Sequence, residues 1–252
     1  QNLTGDKNKV ISHKKVPLPH IKPPDFFVRL SDITDDIVAD EARHFLWEKY
    51  KMKDTDYPFM LSSGVTSETA PDVKHLCKYL RSRIIIPAYK NTRMIYWQAR
   101  QFVGESNKKY VSASVKDSSS VIYGLSNMFH GDPDKPLYIT EGFFDSWHLN
   151  GIAVLGNNMK ANKVQLIDRS RKPKVIVPDY NSDGMLLANQ AVDLKWGIAL
   201  PDILPKRDIC AAINEFGKLY VLKTLVANTY YGFEAKMRLK EFQIKNSKFL
   251  AT

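Results

Sequence analysis

Two short stretches of the sequence hold residues able to do chemistry. In "VIVPDYNSDG", Val175–Gly184, three branched apolar residues run into a proline, and Asp179, Asn181 and Asp183 follow at alternate positions. In "LYITEGFFD", Leu137–Asp145, an apolar run ends in Glu141-Gly142, and Asp145 comes three residues after the glycine. Carboxylates and carboxamides are hard oxygen donors, and magnesium needs only one or two protein carboxylates beside its waters and substrate phosphates. Carboxylates crowded together repel, so one takes up a proton unless a cation intervenes. Alone, Asp179–Asp183 reads more simply as an Asx turn capping a helix. Together with Glu141-Gly142 it reads as a metal site.

Such a site needs a frame that brings the two stretches together, and the second half of the chain supplies one. "PLYIT", "GIAVLGNN", "KVIVPD" and "WGIALPDI" read as buried strands. Each is followed by a helical stretch: "EGFFDSWHLN", "MKANKVQLID", "GMLLANQAVDLK" and "RDICAAINEFG". This alternation with short connections requires a parallel sheet with right-handed crossovers. Strands without polar alternation are buried on both faces. Ligands of an open parallel sheet sit outside the carboxyl ends of its strands. There stand Glu141 and Asp145 after the first strand, and Gly156, Asn157 and Asn158 after the second. Asp179, Asn181 and Asp183 follow the third, and Asp202 and Asp208 the fourth.

The first half is less regular. Residues 1–24 are lysine- and proline-rich and read as a linker or arm. "SDITDDIVADEARHFLWEKYKM" predicts a helix with Ile37, Ala42, Phe45, Leu46 and Tyr50 on one face and acids at its start, where the helix dipole favours them. "APDVKHLCKYL" predicts a second, short helix. "RSRIIIPAYKNTRMIYWQAR" predicts a β-hairpin turning at Lys90–Asn91–Thr92, with "ESNKKYVSASV" a further strand or loop. The expected organisation is therefore α/β: a mixed α+β basic subdomain over 25–133, a parallel sheet flanked by helices over 134–217, and C-terminal helices over 218–252.

The 252 residues carry a formal charge of +10, which fits a polyanionic partner because cationic side chains displace counterions from nucleic acid. The two cysteines, Cys77 and Cys210, form no CxxC pair, so neither a zinc ribbon nor a disulfide framework is supported, and a reducing compartment fits. No apolar run approaches the roughly 20 residues of a membrane span. The start "QNLTGDKNKV" has no signal-peptide core and no methionine, and reads as the beginning of a fragment. "GIAVLG" has P-loop glycine spacing, but Asn157 and Asn158 stand where lysine and serine or threonine belong. No GxGxxG, GxSxG or HExxH is present, and the six histidines read as surface or core.

The two acidic stretches, a strand ending in Glu-Gly with an aspartate three residues on and a later strand ending in spaced acids, resemble the Toprim domain shared by DnaG-type primases, topoisomerases and some nucleases. The upstream half separates these families. Arg83 before an apolar strand and proline, Gln98 with Arg100, Lys109-Tyr110, and Tyr123-Gly124-Leu125 occur in the order of a DnaG-type primase core. "GFEAKMRLKEF" is similar to the end of primases from tailed bacteriophages. The resemblance covers about residues 80–240.

The resemblance implies a Toprim-type sheet and particular roles. Glu141, Asp179 and the Asn181 position look like the metal-binding acids and the catalytic centre, with Asp145 close by and Asp183 and Asp208 as further ligands. Arg83, Arg100, Lys109 and Tyr110 look like the groups that hold nucleotide and DNA. It implies Mg2+ or Mn2+, a single-stranded DNA template, ribonucleoside triphosphates, a replicative helicase as partner, no membrane, and the cytoplasm of an infected bacterial cell. Phosphoryl transfer is mostly positioning and charge neutralisation, which such a set supplies.

Three departures stand out. Asn181 replaces a charged ligand with a neutral one. "KRDICAA" puts Cys210 and Ala211 where polar and acidic residues follow the fourth-strand aspartate, so Asp208 lacks its usual companions. The family's zinc ribbon has no cysteines here. Two other readings share the same acids: a Toprim nuclease, and a catalytically decayed module that binds single-stranded DNA.

Overall fold

The computed structural model describes residues 18–19, 21, 23–62, 80, 82–104, 108–114, 120–204 and 208–246. Most of the expected arm, and all but Leu80 of the helix expected in "APDVKHLCKYL", lie outside them.

The first half builds an antiparallel sheet in chain order: β1 (Phe27–Arg29), β2 (Met60–Ser62), β3 (Arg83–Lys90), β4 (Arg93–Gln101) and β5 (Tyr110–Ser112). The expected hairpin is β3–β4, and Asn91 in its two-residue turn takes φ +54°, a conformation asparagine tolerates well. Both faces of β3 are covered. Ile84 and Ile86 pack with α1 (Ile37–Tyr50), while Ile85 packs with Met60, Leu80, Trp97 and Ala99. Helix α1 starts where Asp36 accepts a hydrogen bond from the Ala39 amide at 2.8 Å. Its buried stripe is Ala39, Ala42, Leu46 and Tyr50. Ile37, expected on that face, is instead 77% exposed: at about 100° per residue it falls nearly opposite Leu46, whereas Ala39 of the same turn is in phase with the buried stripe.

The second half builds a sheet in the order β10-β9-β8-β6-β7. Strands β6 (Leu137–Thr140), β7 (Ile152–Ala153), β8 (Lys174–Ile176) and β9 (Gly197–Ala199) are parallel, as expected. The tail adds more than helices: β10 (Thr229–Tyr230) pairs antiparallel to β9. The helices are α2 (Phe143–His148), α3 (Ala161–Ile167), α4 (Ser182–Asp193), α5 (Ile209–Phe216), α6 (Lys218–Ala227) and α7 (Gly232–Lys245). One face of the sheet buries Ile139, Ile176 and Ile198 against α3, α4 and α7. The other buries Tyr138, Val175, Val177 and Ala199 against α5 and α6.

Two features join the sheets. In α2, Phe143 and Phe144 belong to the core beneath α1, and the Phe144 ring stacks on Tyr50 with centroids 3.6 Å apart. Tyr123 pairs its backbone with Ala153 of β7, and its buried hydroxyl donates to the Ile86 carbonyl and accepts from the Gln98 amide at 3.2 Å. Gly124 follows at φ +75°, where a β-carbon would meet the Gly151 carbonyl oxygen at 2.5 Å. The Tyr123-Gly124 pair is thus a joint between sheets.

Candidate metal and polyphosphate site

The chain leaves β6 toward β7 on one side and leaves β8 toward β9 on the other. A crevice opens at such a reversal, outside the carboxyl ends of the two strands. Glu141 directly follows β6, and Asp179 comes three residues after the end of β8. Their strands are neighbours, held by a 2.9 Å bond from the Val177 amide to the Ile139 carbonyl. Asp145 lies in the first turn of α2, and Asp208 caps α5.

These acids act on one another. Burial pushes the Glu141 carboxyl up to about 7, helped by the charges of Asp179 and Asp183 and opposed by Lys109. Burial also pushes Asp145 up to about 7, helped by Asp179 and Asp208 and opposed by hydrogen bonds from Cys210. Asp179 is raised by burial and then by Asp208, against Lys109. Half-buried carboxylates that raise each other in this way are the donor set a divalent cation relieves. The chemistry of the set therefore fits the hard ion expected.

The other expected ligands have local partners. Asn181 is exposed, and its carbonyl oxygen accepts from the Gly184 amide at 2.7 Å, capping α4. A second lone pair remains on that oxygen. Asp183 is exposed, accepts from the Asn157 side chain at 2.7 Å, and ties the loop after β7 to α4. Asp208 accepts from the Ala211 amide at 2.7 Å.

Cys210, which sequence reasoning set aside as a departure, comes into this group. Its backbone amide and thiol lie 3.1 and 3.2 Å from the same oxygen of Asp145. Among the described residues, Asp145, Asp208 and Cys210 form a group whose potential ligand atoms all lie within 4.8 Å of one another. The Asp208–Cys210 spacing across a helix start was the available signal.

The expected basic residues belong to the first sheet and the loop that enters β5. Arg100 is 4% exposed, and its Nε and Nη1 have no hydrogen-bond partner among the described residues. Its guanidinium lies 5.0 Å from the Tyr110 ring centre and 5.8 Å from that of Phe45. Lys109 is exposed and acts on both Glu141 and Asp179. Tyr110 is half-buried beside Arg100, with its hydroxyl pushed up to about 12, chiefly by burial. Arg83 is elsewhere. Successive strand residues face opposite ways, and Ile84 is the one that pairs with Arg100. The Arg83 guanidinium donates to the carbonyls of Lys108 at 2.7 Å, Lys109 at 3.2 Å and Ala99 at 3.3 Å, holding the strand edge that presents Lys109. Trp97 is core, edge-on to Phe27. A cation not anticipated from sequence, Lys49 of α1, lies 5.7 Å from the same Phe45 ring centre.

No protein-family model and no curated protein matches the chain. In structure the chain is similar to a DnaG primase catalytic domain bound to single-stranded DNA, with TM-score 0.62, 16% identity, and coverage of 86% of this chain and 80% of that one. It is similar to the E. coli primase catalytic core, with TM-score 0.61, 16% identity, and coverage of 86% and 80%. It is also similar to the RNA polymerase domain of Mycobacterium tuberculosis primase DnaG in complex with a double-stranded DNA oligomer with a 6-nucleotide overhang, with TM-score 0.62, 15% identity, and coverage of 86% and 79%. The likeness is one of fold: an antiparallel-sheet subdomain, a mostly parallel sheet with helices, then C-terminal helices. No helix among the described residues is long and apolar enough to cross a membrane.

Proposed function

We propose that the protein is the RNA-polymerase core of a primase, which synthesises short RNA primers on single-stranded DNA from ribonucleoside triphosphates. The observation that carries this reading is the gathering of Glu141, Asp145, Asp179 and Asp208 at the reversal of strand order, where Lys109 acts on Glu141 and Asp179 and Arg100 lies nearby over the Tyr110 ring. Two of the similar structures have single-stranded or overhanging DNA bound, which agrees with a nucleic-acid substrate.

Each residue then has a task. Glu141 and Asp179 would hold Mg2+ or Mn2+, with Asp145 and Asp208 holding a second ion and Asn181 and Asp183 completing the shell or fixing its loops. Bound ions supply charge neutralisation at the attacking 3′-hydroxyl and the departing pyrophosphate. Arg100 offers Nε and Nη1, which lack a partner among the described residues, to phosphate oxygens, and Lys109 adds a point charge on a flexible stem. Tyr110 backs the guanidinium, and Arg83 positions Lys109. Residues 25–133, 134–217 and 218–252 are the basic subdomain, the Toprim-type domain and the helical end. A replicative helicase, a bacteriophage source and the host cytoplasm complete the proposal by resemblance.

The test is extension of an RNA primer already annealed to DNA, in magnesium and in manganese, by the native chain and by Glu141→Gln. Extension by the first and none by the second is the expected result. Absence of extension with DNA still bound would replace the polymerase with a binding module, the reading favoured by Asn181 serving as a cap. Metal-dependent nicking of plasmid would replace it with a nuclease.

A further inference from the structure

Helix α6 is apolar on two faces. Val221 and Leu225 are buried with Val175 and Ala199 of the second sheet. At about 100° per residue, Leu219, Lys223 and Val226 fall on the side opposite those two, with Tyr220 at its margin. That side stands open: Leu219 is 68%, Tyr220 53% and Val226 64% exposed. Phe216, the last residue of α5, extends the stripe, its ring centre 5.8 Å from that of Tyr220. A helix on the surface of a domain ordinarily turns polar residues to water, and one that is apolar all round is ordinarily covered on every side. Contiguous exposed apolar side chains of this kind mark a contact surface.

The charges around the stripe select its partner. Lys223 stands at its middle and Lys218 at its start, both exposed, and no acidic residue occurs between Glu215 and Glu234. In a two-fold antiparallel pairing of two copies, Lys223 would meet the same lysine of the other copy, a like-charge contact that opposes association. The area points the same way. A helix of this length offers about 15 Å by ~10 Å, far short of the roughly 800 Å² that each member of a stable pair of folded proteins buries. It suits a single helix laid alongside, which needs a strip one helix wide. An apolar stripe whose only charges are positive is complementary to apolar residues interspersed with acids. A lipid surface fits less well: holding one helix face there takes a polybasic patch or a second anchor, and α6 carries two lysines.

We propose that the outward face of α6 docks an acidic amphipathic helix of a partner protein, its apolar side chains against Leu219, Tyr220 and Val226 and its acids against Lys218 and Lys223. The proposal is independent of the primase reading, because neither metal nor nucleotide enters it. The test uses the full chain and a fluorescein-labelled designed helix with leucine at every third or fourth position and glutamate elsewhere. Binding is followed by anisotropy at about 0.15 M salt, where charge attraction beyond ~8 Å is screened. The same helix with lysine in place of glutamate is the counterpart. The native chain is expected to bind the glutamate helix saturably and not the lysine helix. Leu219→Ser, Val226→Ser and Lys223→Glu are each expected to weaken binding about 10-fold, and Lys223→Glu to bind the lysine helix better than the native chain does. All three positions face solvent, so the variants should melt like the native chain. Phe233→Ser and Lys236→Glu, equally exposed on α7 across the sheet, should leave binding unchanged. No binding by the native chain, equal binding of the two helices, or binding that the α6 variants spare or the α7 variants equally weaken would overturn the proposal. So would a dimer in sedimentation that Leu219→Ser dissolves, which would make the face a self-contact. Flotation with phosphatidylserine vesicles that the same variant abolishes would make it a lipid contact instead. If Leu219→Ser does not fold, Val226→Ser and Lys223→Glu decide.

Discussion

A β-carbon on Gly184 would lie 2.0 Å from the carbonyl oxygen of Asp179. The first turn of α4 therefore rests on the backbone that carries the central acid, and only the absence of a side chain lets it.

Gly184→Ala is expected to push the α4 start away from Asp179. Overpacking of this kind costs about 1–3 kcal/mol. A lower melting temperature together with weakened Mg2+ or Mn2+ binding is the expected outcome. Unchanged metal affinity would show that Asp179 is not held by this contact.

Glu141→Gln separates chemistry from stability. The neutral amide removes one of the mutually repelling charges, so the metal-free variant should melt about 2–4 °C higher near pH 8, the shift roughly 1 kcal/mol gives a chain of this size. It should also lose the stabilisation that Mg2+ gives the native chain. A metal-free melting point below that of the native chain would contradict the crowding of acids.

The pH dependence has a definite sign. Glu141 and Asp145 are each raised to about 7 in the folded chain, above the ordinary carboxyl values of the unfolded chain. The folded state thus binds more protons between about pH 4 and 7, and stability falls as pH rises through that window. In chelator, the melting temperature should decline from pH 5 to 8. Saturating Mg2+ or Mn2+ should flatten the decline, because the metal takes the place of the protons. The same slope in the double variant Glu141→Gln, Asp145→Asn would assign the effect elsewhere.

Arg100 offers a trade between stability and ligand binding. Its buried Nε and Nη1, without a partner among the described residues, oppose folding, and replacing buried charge by an apolar residue is often neutral or stabilising by about 1–4 kcal/mol. Arg100→Met should melt at or above the native temperature yet lose the thermal protection given by a metal–nucleoside triphosphate complex. A variant that melts much lower would make Arg100 a structural strut like Arg83.

Tyr123→Phe tests the joint between the sheets. The hydroxyl serves the Ile86 carbonyl and the Gln98 amide, and losing it leaves buried backbone groups unpaired at about 1–3 kcal/mol. Lower stability with metal binding intact is expected, measured by thermal melting and metal titration.

Much of this was legible in the chain. The apolar runs of β6 to β9 and their alternation with helices required the parallel sheet, and its carboxyl edge then located Glu141 and Asp179. The β3–β4 hairpin was written in "IIIPAYKNTRMIYW", because strand pattern and turn chemistry are local. Ile37 was misplaced, because the helical period puts it nearly opposite Leu46, and the buried face is instead shared by Ala39, Ala42, Leu46 and Tyr50.

What the sequence determined by itself was the inventory and the near-neighbour order: which acids leave which strand, and where a helix follows. Tertiary structure alone decided the partnerships across distance. It brought Cys210 to Asp145, 65 positions apart, turned Arg83 onto backbone carbonyls while leaving Arg100 Nε and Nη1 without a partner among the described residues, and carried Lys49 of α1 toward Asp208 of the second half. The reason is physical. Hydrogen bonds along a strand or helix are fixed by neighbours in sequence, whereas the charge and hardness of a site depend on which side chains the packing of separate elements brings into the same few ångströms.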